Sequence, residues 1–259
     1  MMLVGRIAAV VVLSSVVCTS ALAAKRQRLS ASPDFPWLDD KDGVRLEIVE
    51  KLIEQKMSDQ ALSIITDLRN DGVTKPSLDL YQGKALQYQG MATEAERLLV
   101  SARKRMPGDA RPHSALCILY ADNENFEQAI ESCQRATSID KNDAGTWNNY
   151  GYLLLFVGDR PDDARKALET AVQLDSTQSR YRNNLGHAQV ACGAPADAMK
   201  TFMSTATRAD AAYNVGAASE RFGTIDDAVR YYQQALDQQP DHSLAHEAIE
   251  RLGKPAEEN

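Results

Sequence analysis

Paired asparagines, two cysteines and a histidine pair are the side chains whose spacing could do chemistry. Asn148 and Asn149 open the stretch NNYG, Asn183 and Asn184 open NNLG 35 residues later, and NVG follows at Asn214 to Gly216. A carboxamide is both donor and acceptor, so a row of them can pair with the N–H and C=O of an extended peptide. His242 and His246 stand four apart, a spacing that can chelate a metal on a helix, but no HExxH pattern or third ligand accompanies them. Asp241 and Ser243 are candidates to cap the helix that follows. His113 and His187 lie far from that pair, and no Gly-rich phosphate loop, GxSxG or Ser/His/Asp set is present. These absences point to a non-enzymatic protein with no cofactor and no metal.

The elements that must position these residues show in a period. Alanines that open a recurring pattern fall at Ala61, Ala95, Ala129, Ala164, Ala198 and Ala228, in steps of 34, 34, 35, 34 and 30. A fixed period near 34 signals a helical-hairpin repeat. In the fourth unit Trp147, Tyr150, Gly151 and Leu154 recur at helical spacing, and Gly158 is expected to end that helix. Pro161 suits the first turn of the next helix, whose inner stripe is Ala164, Leu168 and Ala171. Gly83, Leu86, Gly90, Ala95, Leu99, Ala102 and Pro107 hold matching places in the second unit. The first unit has Val49 and Lys56 where others have glycine, and the fifth is about four residues short after Ala198, so its second helix should be truncated. Aromatics make up only 6% of the chain, which suits closely packed helices better than a sheet. The net charge of −7 excludes the basic footprint of a nucleic-acid binder.

The small residues in phase, then Tyr, Ala, Leu or an aromatic, Ala and Pro, make the chain resemble the tetratricopeptide repeat family. That resemblance implies an all-α fold, a right-handed superhelical α-solenoid of six hairpins. The units lie near 42–75, 76–109, 110–143, 144–178, 179–208 and 209–242, a capping helix covers 243–252, and a tail follows over 253–259. It also implies that each unit's first helix lines a concave groove that binds a protein or an extended peptide. Asn149, Asn184 and Asn214 take equivalent places there and should form a ladder, unless they serve only local packing. Tyr152, Phe156 and Tyr213 are the candidate apolar anchors or else core residues, with Asn148, Asn183 and His187 nearby and Arg180 placed to meet a carboxylate. Cys117 and Cys133 fall on facing helices of the third hairpin. They are either a disulfide, closing a loop of about 15 residues at a gain of roughly 3 kcal/mol, or two reduced core cysteines. Cys192 has no evident partner.

The N-terminus carries its own signals. Arg6 precedes the apolar run Ile7 to Val17, and Ala21-Leu22-Ala23 fits a secretory cleavage site, so residues 1–23 read as a signal and 24–41 as a linker. Export to the periplasm or the outer membrane is the expectation. Cys18 is a candidate lipid-attachment site, although Val17 departs from the usual small residue before it. Lys25, Arg26 and Arg28 oppose export and favour the alternative, an inner-membrane anchor with the array facing the cytoplasm as a scaffold or co-chaperone. The stretch Arg182 to Gly223 is similar to TadD-type proteins of tight-adherence pilus assembly, through Arg182, Asn184, Leu185, Gly193, Ala198, Ala212, Asn214 and Val215. That similarity implies a scaffold in pilus or secretion-complex assembly. A regulatory subunit of an enzyme is the third reading, and exposed end units would allow self-association.

Overall fold

A computed structural model describes residues 41–253 of the chain. The signal, Cys18, most of the linker and the end of the tail lie outside the described residues. Among the described residues the elements are thirteen α-helices and no strand. They pair as hairpins: α1 (Lys41–Glu54) with α2 (Ser58–Asn70), α3 (Ser77–Tyr88) with α4 (Ala92–Arg105), and α5 (Ala110–Asp122) with α6 (Phe126–Ile139). The second half repeats the pattern: α7 (Ala144–Phe156) with α8 (Pro161–Leu174), α9 (Ser179–Ala191) with α10 (Pro195–Met203), and α11 (Arg208–Arg221) with α12 (Ile225–Gln238). Helix α13 (Ser243–Gly253) closes the array. α10 has nine residues where α4, α6, α8 and α12 have 14 each.

The turn inside each hairpin explains the period. Its chain passes through one left-handed residue, namely Lys56, Gly90, Glu124, Asp159, Gly193 or Gly223, with φ between 46° and 80°. Glycine meets that demand at three turns; Lys56, Glu124 and Asp159 accept the strained region at a cost of roughly 1–2 kcal/mol each. In five turns the N–H three positions past the helix end reaches back five residues, as Met91 does to the Leu86 carbonyl at 2.9 Å. In unit four Arg160 reaches back six, to Leu154 at 3.0 Å. That extra residue is the 35-residue step: the helix expected to end at Gly158 ends at Phe156, and Asp159 takes the left-handed position.

One column of contacts holds every hairpin together. Gly83 faces Leu99, Cys117 faces Cys133, Gly151 faces Leu168, Gly186 faces Phe202 and Gly216 faces Tyr232, and the buried Val49 and Ile65 hold the equivalent places in unit one. A methyl on Gly186 would lie 2.4 Å from the Phe202 ring, and one on Gly151 would lie 2.6 Å from Leu168 Cγ. Ridge-into-groove packing this close needs a missing side chain on one helix and a large one on the other. Unit three fills the same place with a disulfide between Cys117 and Cys133, whose Cα atoms are 5.1 Å apart.

Consecutive first helices touch along the array, α1 to α3, α3 to α5, α5 to α7, α7 to α9 and α9 to α11. Consecutive second helices do not approach to that extent. The first helices therefore line the shorter, inner side of the curve and the second helices its outer side.

Candidate functional site

The asparagines meet on this inner side, though not as a simple ladder. Asn184 Nδ2 donates to Asn148 Oδ1 at 2.8 Å, and Asn148 Nδ2 donates to Asn149 Oδ1 at 3.4 Å. Asn148 is only 2% exposed. The sequence placed Asn149 in line with Asn184, yet Asn148 is the residue that bridges units four and five. The bond spans 36 residues against a 35-residue step, so neighbouring first helices meet one residue out of phase. The chain of amides leaves a donor free on Asn149 and an acceptor free on Asn184, the pair of groups that an extended backbone offers in reverse.

Beside Asn149 lies a cavity of about 310 Å3 between α5 and α7, lined by Ile118, Ala121, Phe126, Asn149, Tyr152 and Leu153 among others. Two of its apolar side chains are open to solvent, Ile118 at 39% and Tyr152 at 45%. The Tyr152 ring sits 4.7 Å from that of Phe156, which stacks on Phe222 at 6.1 Å. The Arg221 guanidinium lies 4.1 Å above Phe156. Such a cation held over a ring contributes about 0.5–1 kcal/mol at an exposed site. His187 meets Phe156 and Phe202 edge-on, at 6.0 and 5.7 Å. Burial, and after it the Arg221 charge, hold the His187 imidazole below its usual pKa, so the ring is neutral at pH 7. Phe156 is thus a covered ring, and the open anchors are Tyr152 and Ile118.

Other expected site residues lie elsewhere. Tyr213 packs on Tyr232 at 5.5 Å and on His242 at 5.2 Å, between unit six and the closing helix, so it belongs to the core there. Asn183 is exposed and accepts from Thr205 Oγ at 3.4 Å, on the side of its own hairpin partner. Arg180 stands exposed at the start of α9, its charge 5.6 Å from the Tyr181 ring. Asn214 sits half-buried on α11 without a side-chain hydrogen bond to another described residue. At the closing helix neither Asp241 nor Ser243 is the cap: His242 Nδ1 accepts from the Ala245 N–H at 3.2 Å. Its Nε2 lies 3.3 Å from Asp210 Oδ1, and His246 Nε2 lies 2.8 Å from the Pro240 carbonyl. Among the described residues no group of three His, Cys, Asp or Glu is placed to hold a metal. Ile118, Arg221 and Phe222 were missed by sequence reasoning. The aromatic before Gly223, in a chain so poor in aromatics, was the one signal available for Phe222.

The hairpins, their left-handed turns and the small-to-large column define a helical-repeat interaction array. Residues 86–148 and 151–214 each match a tetratricopeptide repeat family model, and the array is one of tetratricopeptide repeats. Repeats of this kind bind proteins or peptides. Among curated proteins the chain is 25% identical over 152 residues to a peroxisomal targeting signal receptor of Candida glabrata. It is 33% identical over 96 residues to the receptor of that name from Candida albicans. These matches cover 58% and 37% of this chain, which spans only 25% and 16% of the receptors' length. Among solved structures it is similar to YrrB, described as a protein with an unusual peptide-binding site, with TM-score 0.59, 20% identity, and coverage of 72% of this chain and 97% of that one. It is also similar to Pseudomonas aeruginosa pilF, with TM-score 0.59, 13% identity, and coverage of 81% and 96%. At these identities the two structures share the fold alone.

Proposed function

We propose that the protein is a non-enzymatic scaffold that holds an extended segment of a partner protein along the first helices of units three to five. The observation that carries this reading is the Asn184–Asn148–Asn149 amide chain ending beside the open cavity of Ile118 and Tyr152. Magnitudes support the combination. Two neutral hydrogen bonds contribute roughly 0.5–1.5 kcal/mol each, short of the 8.2 kcal/mol that micromolar binding requires. Covering two large apolar side chains adds roughly 1.5–3 kcal/mol apiece, so the cavity, and not the amides, dominates affinity while the amides set the strand's direction. The curated relatives' description as targeting-signal receptors fits peptide capture.

The scaffold works in a bacterial envelope, in pilus or secretion-complex assembly, after export directed by residues 1–23 or lipidation at Cys18. The Cys117–Cys133 bridge supports this, because such bonds persist in oxidising compartments. The basic cluster Lys25, Arg26 and Arg28 favours the second reading, an uncleaved anchor with the array in the cytoplasm. Mass spectrometry of the native N-terminus decides between them: a start at Ala24 or lipid on Cys18 supports export, and an intact Met1 refutes it.

A photo-crosslinking amino acid at position 152 tests the groove in the native cell. Adducts should form there and be absent with the same group at Val229, which is exposed on the second-helix side. Adducts at 229 with none at 152 would overturn the assignment.

A further inference from the structure

The outer side of the array carries a second concavity that the groove does not use. Between α4 and α6, against α5, lies a cleft of about 560 Å3 whose walls include Arg103, His113, Tyr120, Glu131, Ser132 and Arg135. Arg103 and Arg135 belong to the second helices of successive units, and neither forms an ion pair among the described residues. His113 lies in the field of both. Burial, then Arg103, then Arg135 lower its pKa. Acidic groups lie near Tyr120. There Glu96 of α4 accepts from Tyr120 Oη at 2.9 Å, and the Tyr120 hydroxyl feels Glu131 as well as Arg103. The cleft therefore presents two guanidiniums that form no ion pair among the described residues, in a chain whose net charge is −7.

Guanidinium forks favour planar or tetrahedral oxyanions, which they grip through paired N–H donors. Ser132 and the glutamines beside it add neutral donors. The volume separates a bare ion from a larger guest, because clefts of roughly 300–1,000 Å3 take ligands of many atoms. We infer that this cleft is a second binding site, one that takes a polypeptide segment bearing a phosphoryl group or adjacent carboxylates, with the anion held by Arg103 and Arg135. The site is independent of the inner groove and lets the scaffold hold two segments at once, one on each side. An anion placed between the guanidiniums also reverses the field at His113, so binding draws a proton onto that ring.

The test uses the purified full chain and three labelled ten-residue peptides of one Gly/Ser sequence: unmodified, with one phosphoserine, and with a Glu-Glu pair. Anisotropy should show binding of the two anionic peptides only, weakened about tenfold or more in Arg103→Gln/Arg135→Gln and largely kept in the double Lys variant. Asn149→Ala, a change in the inner groove that spares the Asn184–Asn148 bond, should leave this binding unchanged. The His113 ring signals should titrate at higher pH when peptide is bound. Equal binding by the unmodified peptide would overturn the inference, and so would parental affinity in the double Gln variant. Inorganic phosphate that binds as tightly as the phosphopeptide would reduce the cleft to an ion site and refute it equally.

Discussion

At the residue scale, burial divides the asparagines that sequence treats alike. Asn148 is enclosed and satisfied by Asn184 and Asn149, so it acts as a spacer between two units; Asn149 has an amide hydrogen to spare. Removing a buried partner costs more than removing a half-exposed one. Asn148→Ala should therefore lower unfolding stability in urea by about 1–2 kcal/mol. Asn149→Ala should leave stability within about 0.5 kcal/mol and yet reduce adduct formation at position 152. The reverse pattern would make Asn149 the structural residue and remove the amide chain from the groove. The one-residue offset behind this division was invisible in the sequence. Period reports which positions are equivalent, but the twist between neighbouring helices decides which positions meet.

At the scale of the element, the hairpins were legible because their packing leaves little choice. Ala61 through Ala228 and the glycines opposite Leu99, Leu168, Phe202 and Tyr232 recur because two helices this close exclude anything larger. Junctions between hairpins were not legible, since they use polar residues with no fixed type. The clearest is Asp79 of α3, 6% exposed, which accepts from Arg69 of α2 at 2.7 Å and from Ser101 and Arg105 of α4 at 2.8 Å each. Burial alone would push this carboxyl upward. The three hydrogen bonds and the Arg69 charge outweigh it and hold the pKa below the usual carboxylate value. The unfolded chain then binds a proton more readily than the folded one. The stabilising contribution is complete above about pH 4 and is lost as pH falls through the lower folded value. Asp79→Asn should flatten the acid limb of a stability-against-pH curve below pH 4 and cost about 2 kcal/mol at pH 7. An unchanged acid limb would show that other carboxylates set it.

For the whole molecule, stability is local because each hairpin touches only its neighbours. The closing helix α13 covers the last one: Ala245 and Ala248 bury against Ala212, Ala228, Tyr232 and Ala235. His242 fastens it by capping α13 through one ring nitrogen and reaching Asp210 of α11 through the other. Deleting residues 242–259 exposes the Tyr213 and Tyr232 rings. The loss should be about 3 kcal/mol in the local opening free energy of α11 and α12, on the scale of one or two uncovered side chains. Amide hydrogen exchange should show that loss confined to unit six and its neighbour, with α3 to α6 protected as before. Binding at the Arg103–Arg135 cleft, which lies three hairpins away, should survive the deletion. A uniform fall in protection along the array would instead mean that the six hairpins unfold as one cooperative body, and the two binding sides would then be coupled through the stability of the whole chain.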